Sequence, residues 1–177
     1  MTVTKIAIIL SSLLFCTNIF ALEPFKPTFE YYDVQGTNYD TLWKSIEENR
    51  PNGHTSANEW QISWNFGYSY LDGVCSLYNP KVMLTMKIIL PRWTDPHSGS
   101  EKMQAEWKRY VKALIAHQMG HVKNAEDAQA EVQKALNAIP GGPKCDPLGE
   151  QAKKTAKTIL KKYDTIEADY ETKTLGG

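Results

Sequence analysis

The chain has 177 residues, with 20 basic against 20 acidic side chains, 42% apolar content and three cysteines. An even charge balance excludes the strongly basic surface by which nucleic-acid binders and anionic-membrane binders hold their partners. The apolar share excludes a disordered chain, and the length suffices for one domain with a real core.

Residues 1–21 read as a secretory signal. Lys5 supplies the positive start, residues 6–14 form an apolar run, and Ile19-Phe20-Ala21 offers a cleavage site after Ala21. The run is too short for a comfortable membrane span, so no stable span is expected once the signal is removed. A lipoprotein reading through Cys16 is weaker, because bulky Phe15 precedes it. The expectation is a secreted or periplasmic protein whose residues 22–177 form a single domain. Export would leave Cys75 and Cys145. In an oxidising compartment two cysteines suggest one disulfide, the alternative being two separate buried thiols.

Residues 28–35, with Phe29, Tyr31, Tyr32 and Val34, predict a strand. Asn38 or Thr37 can cap a short helix over residues 39–48, ended by Pro51-Asn52-Gly53. From Trp60 to Tyr70 large apolar residues alternate with small or polar ones, the period of a strand with one wet face. Its ladder of Trp60, Trp64, Phe66, Tyr68 and Tyr70 is expected to pack beneath helices rather than to form a carbohydrate or peptide groove. Asp72-Gly73 marks a hairpin turn, and residues 74–78 and 82–90 continue the sheet as two strands.

The second half is helical. Over residues 101–137 a stripe of Met103, Trp107, Tyr110, Leu114, His117, His121, Ala125, Ala128 and Val132 shares one helix face. Pro140-Gly141-Gly142-Pro143 breaks this helix, and a second follows over residues 147–171. Its lysines 153, 154, 157, 161 and 162 fall away from the apolar stripe and read as a solvated face. Strands first and helices afterwards predict an α+β fold, an antiparallel sheet packed against two long antiparallel helices, with Cys145 at the turn tied back to Cys75.

The most informative stretch is His117-Gln118-Met119-Gly120-His121. Histidines at i and i+4 lie on one helix face and can hold one metal ion, as in the H-E-x-x-H helix of zinc proteases. Both also sit on the buried stripe, where two satisfied core histidines would sit. The position after the first histidine normally carries the Glu that takes a proton from water. Gln118 is a neutral amide and cannot do so. Gly120 interrupts a helix at a cost of about 1 kcal/mol against Ala, a sign of close approach by a neighbouring element.

With these residues the chain resembles a bacterial domain family described as secreted zinc-dependent proteases and formally of unknown function. The likeness runs from Tyr31-Tyr32-Asp33-Val34-Gln35-Gly36 and Leu42-Trp43 through Trp60, Trp64, Cys75, Leu90-Pro91-Arg92-Trp93, Trp107 and Tyr110 to the histidine helix. His117, Gly120 and His121 match the family motif H-E-x-G-H. The resemblance implies a zincin-like fold, zinc on His117 and His121, and a peptide or protein as substrate or partner. A family tail of the form Tyr-Asp-x-x-Thr-x-His-Gly aligns with residues 170–177, but Gly176 stands where its histidine would be. If that histidine is a zinc ligand, this chain lacks it. Substitutes exist in Glu167, Glu171, Asp169, Glu126, His54 and His97, each expected as a solvated surface residue. The expectation is a metalloprotease-like domain, catalytically weakened or inactive, with zinc held weakly or not at all. The alternative is a non-enzymatic envelope module that holds a peptide or partner protein in the former groove.

Overall fold

A computed structural model describes residues 25–174. The segment expected to be a secretory signal (residues 1–21) and Gly176 lie outside the described residues. The chain order is strand β1 (Thr28–Val34), helix α1 (Tyr39–Asn49), strands β2 (Ala57–Leu71) and β3 (Val74–Trp93), then helices α2 (Glu101–Asn137) and α3 (Asp146–Thr174). The class is α+β, as the order of strands and helices indicated.

The sheet has the order β1-β3-β2, so β3 is central. β2 and β3 form a long antiparallel ribbon, closed by Asp72 and Gly73, both at positive φ as a two-residue hairpin turn requires. β1 departs from the expected antiparallel arrangement by pairing parallel to β3, Thr28 opposite Lys87 and Val34 opposite Trp93. A parallel pair needs a crossover, and α1 followed by β2 provides it.

The two strands expected over 74–78 and 82–90 are one strand of 20 residues. Asn79-Pro80 does not interrupt it but forms a bulge. Pairing passes from Asn65–Lys81 to Gly67–Tyr78, and Asn79 takes a φ of 47°. Proline is tolerated in a strand at such a bulge. On the side of β3 beyond the reach of β1, α2 supplies the missing partners. Gln129 donates to the Val82 carbonyl (2.9 Å), Gln133 donates to the Pro80 carbonyl (2.8 Å), and the Val82 amide donates to Gln133 (3.0 Å).

α1 begins at Asn38, whose side chain accepts from the Thr41 amide in a reciprocal cap. Ser100 caps α2 through the Met103 amide. The main core lies between α2 and β3, where Leu114, Val122, Ala125 and Val132 meet Leu84, Met86, Ile88 and Leu90. α3 adds Ala152, Ala156 and Tyr163. A smaller cluster of Val34, Leu42, Ile46, Trp93 and Met103 seats α1. The aromatic ladder divides. Trp60, Trp64 and Phe66 pack on the main core, whereas Tyr68 and Tyr70 are 47% and 65% exposed, near the hairpin end of the ribbon.

α3 runs antiparallel to α2. Glu131 of α2 accepts from Lys162 and Tyr163, Asn124 reaches Glu167, and the His117 carbonyl reaches Tyr170. The turn between them is tied to the sheet as expected. Cys145 is bonded to Cys75 across a Cα separation of 5.3 Å, and Cys75 and Gly142 exchange two backbone hydrogen bonds of 2.7 and 2.8 Å.

Thiol alkylation of the folded protein, purified without reductant, is expected to label neither Cys75 nor Cys145 until a reductant is added. Replacing both by Ser should lower unfolding free energy by about 2–5 kcal/mol in denaturant titration, the usual cost of losing a long-loop cross-link.

Candidate metal centre

The middle of α2 presents its two histidines toward α3, 7% and 1% exposed for His117 and His121. Their Nε2 atoms lie 3.2 Å apart. One carboxylate oxygen of Glu171, on α3, completes a triangle at 2.8 Å from His121 Nε2 and 3.5 Å from His117 Nε2. Ligand bonds of about 2.0–2.1 Å in a tetrahedron put neighbouring donor atoms about 3.3 Å apart. The triangle therefore has the size of three donors around one ion.

Glu167, one turn before Glu171, holds His121 from behind. Its Oε2 is 2.5 Å from His121 Nδ1, and its Oε1 accepts from Asn124 at 2.7 Å. With Nδ1–H donating to Glu167, Nε2 is the nitrogen that faces Glu171 and His117 and would bind an ion. Acceptor atoms converging on one point call for a cation between them, a proton or a metal. The donor chemistry, two imidazoles and one carboxylate with an orienting second carboxylate, fits zinc. His117 is less well supported, since its buried Nδ1 has no hydrogen-bond partner among the described residues.

Gly120 is explained by Tyr170. The phenol ring stacks on His117 at 5.2 Å between centroids and meets His121 edge-on at 4.8 Å. Its hydroxyl donates to the His117 carbonyl at 2.9 Å. A β-carbon at position 120 would fall 2.0 Å from that hydroxyl oxygen. Burial, reinforced by Glu171 and Glu167, raises the pKa of the phenol. It stays protonated and keeps donating.

Gln118 is buried, with a hydrogen bond at each end of its amide. Its Nε2 donates to Ser56 Oγ at 2.8 Å and its Oε1 accepts from Asn58 Nδ2 at 3.0 Å. It thereby fastens the segment leading into β2 to α2. Sequence reasoning gave no signal for Ser56 or Asn58. It treated Glu167 and Glu171 as solvated; the Glu171 side chain is 43% exposed and that of Glu167 17%, yet both reach the histidines. The i, i+4 glutamates of α3 face the i, i+4 histidines of α2, and that matched spacing was the available signal. Asp169, Glu126, His54 and His97 are outside the cluster, which among the described residues is His117, His121 and Glu171.

A family model described as "Bacterial protein of unknown function (DUF922)" matches residues 29–177, most of the chain. No curated protein and no solved structure gives a match.

Gly120→Ala is expected to lower stability by about 1–3 kcal/mol through overpacking against Tyr170, although alanine is the better helix former. In a Tyr170→Ala background the same change should be neutral or stabilising. Urea unfolding of the four proteins of this cycle checks the reversal.

Proposed function

The chain belongs to the DUF922 family of bacterial proteins, and within it we propose that this member is an exported zinc-binding domain of the metalloprotease type whose hydrolytic machinery is disabled. The observation that carries the reading is the convergence of His117, His121 and Glu171 on one point, with Glu167 orienting His121. Glu171 takes the third ligand position for which sequence comparison suggested a tail histidine. Bound there, zinc would supply Lewis acidity toward a peptide carbonyl. Export is supported by the Cys75–Cys145 disulfide, a bond of oxidising compartments. No helix among the described residues is long and apolar enough to cross a membrane.

The protein's own groups divide into those that bind and one that fails to react. His117, His121 and Glu171 bind, and Glu167 fixes the tautomer of His121. Tyr170 covers the His117 ring. Gln118 occupies the position of the general base, but an amide has no protonation equilibrium near neutrality, and its polar atoms are already taken by Ser56 and Asn58. Both neighbours can also donate to a carboxylate, so Gln118→Glu is compatible with this pocket. The partner class is a peptide or protein, held without being cut.

Metal analysis and calorimetric zinc titration test the reading. The natural chain should bind one zinc. His121→Ala should abolish binding, and Glu167→Gln should weaken it about 10–100-fold, as loss of an orienting partner does. Against a broad peptide library the zinc-loaded natural chain should show no turnover, and Gln118→Glu should gain chelator-sensitive cleavage. A chain that takes up no zinc overturns the metal reading and leaves a non-enzymatic binding module. Chelator-sensitive turnover by the natural chain overturns the disabled one.

A further inference from the structure

A second groove lies at the N-terminal part of α2, two turns before the histidines. Here α1 and the start of α2 enclose a groove of about 490 Å³. Tyr39, Trp43, Trp107 and Tyr110 line it, with Trp43 51% and Tyr39 49% exposed. The rings brace one another. Trp43 meets Tyr110 at 5.8 Å, Tyr110 meets Trp107 at 5.7 Å, and Trp107 meets Trp93 at 5.9 Å. Exposed aromatic rings held this way form a preorganised wall rather than a mobile surface.

The charges of the groove are one-sided. Its lining contains Asp40, Glu47 and Glu106 against one ammonium, Lys44, which lies 3.7 Å from Glu48. Asp40 and Glu47 stand two turns apart on the same face of α1, flanking Trp43, about 10 Å from each other along the axis. Neither has an ion-pair partner among the described residues. Glu106 accepts from the Tyr39 hydroxyl across the groove and lies 3.7 Å from Arg109. The site thus combines aromatic faces, which attract a cation through their negative π-surface, with carboxylates free to pair with it.

We infer that this groove binds an extended peptide through an arginine side chain laid on the Trp43 ring and paired with Glu47, with Asp40 facing the next part of the chain. A planar guanidinium matches both demands, stacking on a ring while its edge donates to a carboxylate, which a lysine ammonium does less well. The peptide class follows from the shape. An open groove between two helices admits a chain passing through, and the two carboxylates are spaced to follow its length. The site uses none of the groups of the metal centre, so its occupancy is independent of zinc.

The test is a titration of the intact chain at low salt with acetyl-Ala-Arg-Ala-amide, followed by tryptophan fluorescence. The control is the citrulline peptide, which keeps the shape of arginine and loses its charge. The arginine peptide should bind saturably, and the citrulline peptide at least about tenfold more weakly. Trp43→Ala and Glu47→Lys should each weaken arginine-peptide binding by a similar factor, and chelator should leave it unchanged. Trp43 is half exposed and its loss spares the core, while Glu47→Lys keeps the test decisive should Trp43→Ala fold poorly. The inference is overturned by absence of saturable binding, by equal affinities for the arginine and citrulline peptides, or by binding that chelator abolishes. Tetramethylammonium binding as tightly as the arginine peptide also overturns it, as the mark of a small-cation site.

Discussion

α3 is located against α2 by a fit of shape at one end and a covalent tie at the other. The Tyr170 ring fills the space that any side chain at position 120 would need, and its hydroxyl is bonded to the backbone of the same turn. Twenty-five residues before Tyr170, Cys145 at the entry to α3 is anchored to Cys75 of β3. Between these points the Tyr163 hydroxyl donates to Glu131 and favours the same register. A slip of one residue would turn Glu171 by about 100° around the axis of α3 and take its carboxylate away from the histidines. The donor triangle is therefore a product of helix register rather than of any loop.

That origin also separates binding from reaction. The residues that would hold an ion are fixed by the packing of two long helices, and they persist whatever stands at position 118. Position 118 is bonded to the start of β2 and the residue before it, where an amide is satisfied by Asn58 and Ser56. A buried polar side chain with both ends bonded costs the fold little. The domain can thus carry an amide at position 118 without cost to its architecture, since fold and chemistry are carried by different contacts.

The parts legible in the sequence are those governed by local periodicity. The stripe of α2, the alternation of β2, the Asp72-Gly73 turn and the break at Pro140 all express rules of a single element. The parallel direction of β1 does not, because seven residues of strand pattern carry no mark of which way the neighbour runs. Asn79-Pro80 reads as a stop and is a bulge, since its partner strand and the glutamines of α2 decide the matter from outside. Glu167 and Glu171 read as solvated acids for the same reason. Their role exists only once another helix is set against them. His117 and His121 were legible as a pair, but the identity of the carboxylate that joins them, Glu171, required the register described above.

The glutamines along β3 have a consequence for how the chain meets copies of itself. A long central strand flanked on one side by a strand of only seven residues exposes backbone donors and acceptors, the template on which sheets grow from molecule to molecule. Gln129 and Gln133 occupy those positions with side-chain amides that imitate a peptide backbone in hydrogen-bonding capacity but end after one residue. An incoming strand would have to displace them before gaining a bond of its own. The helix that carries the histidines thus also terminates the sheet, guarding against fibrillar stacking at the place where the strand pattern is longest.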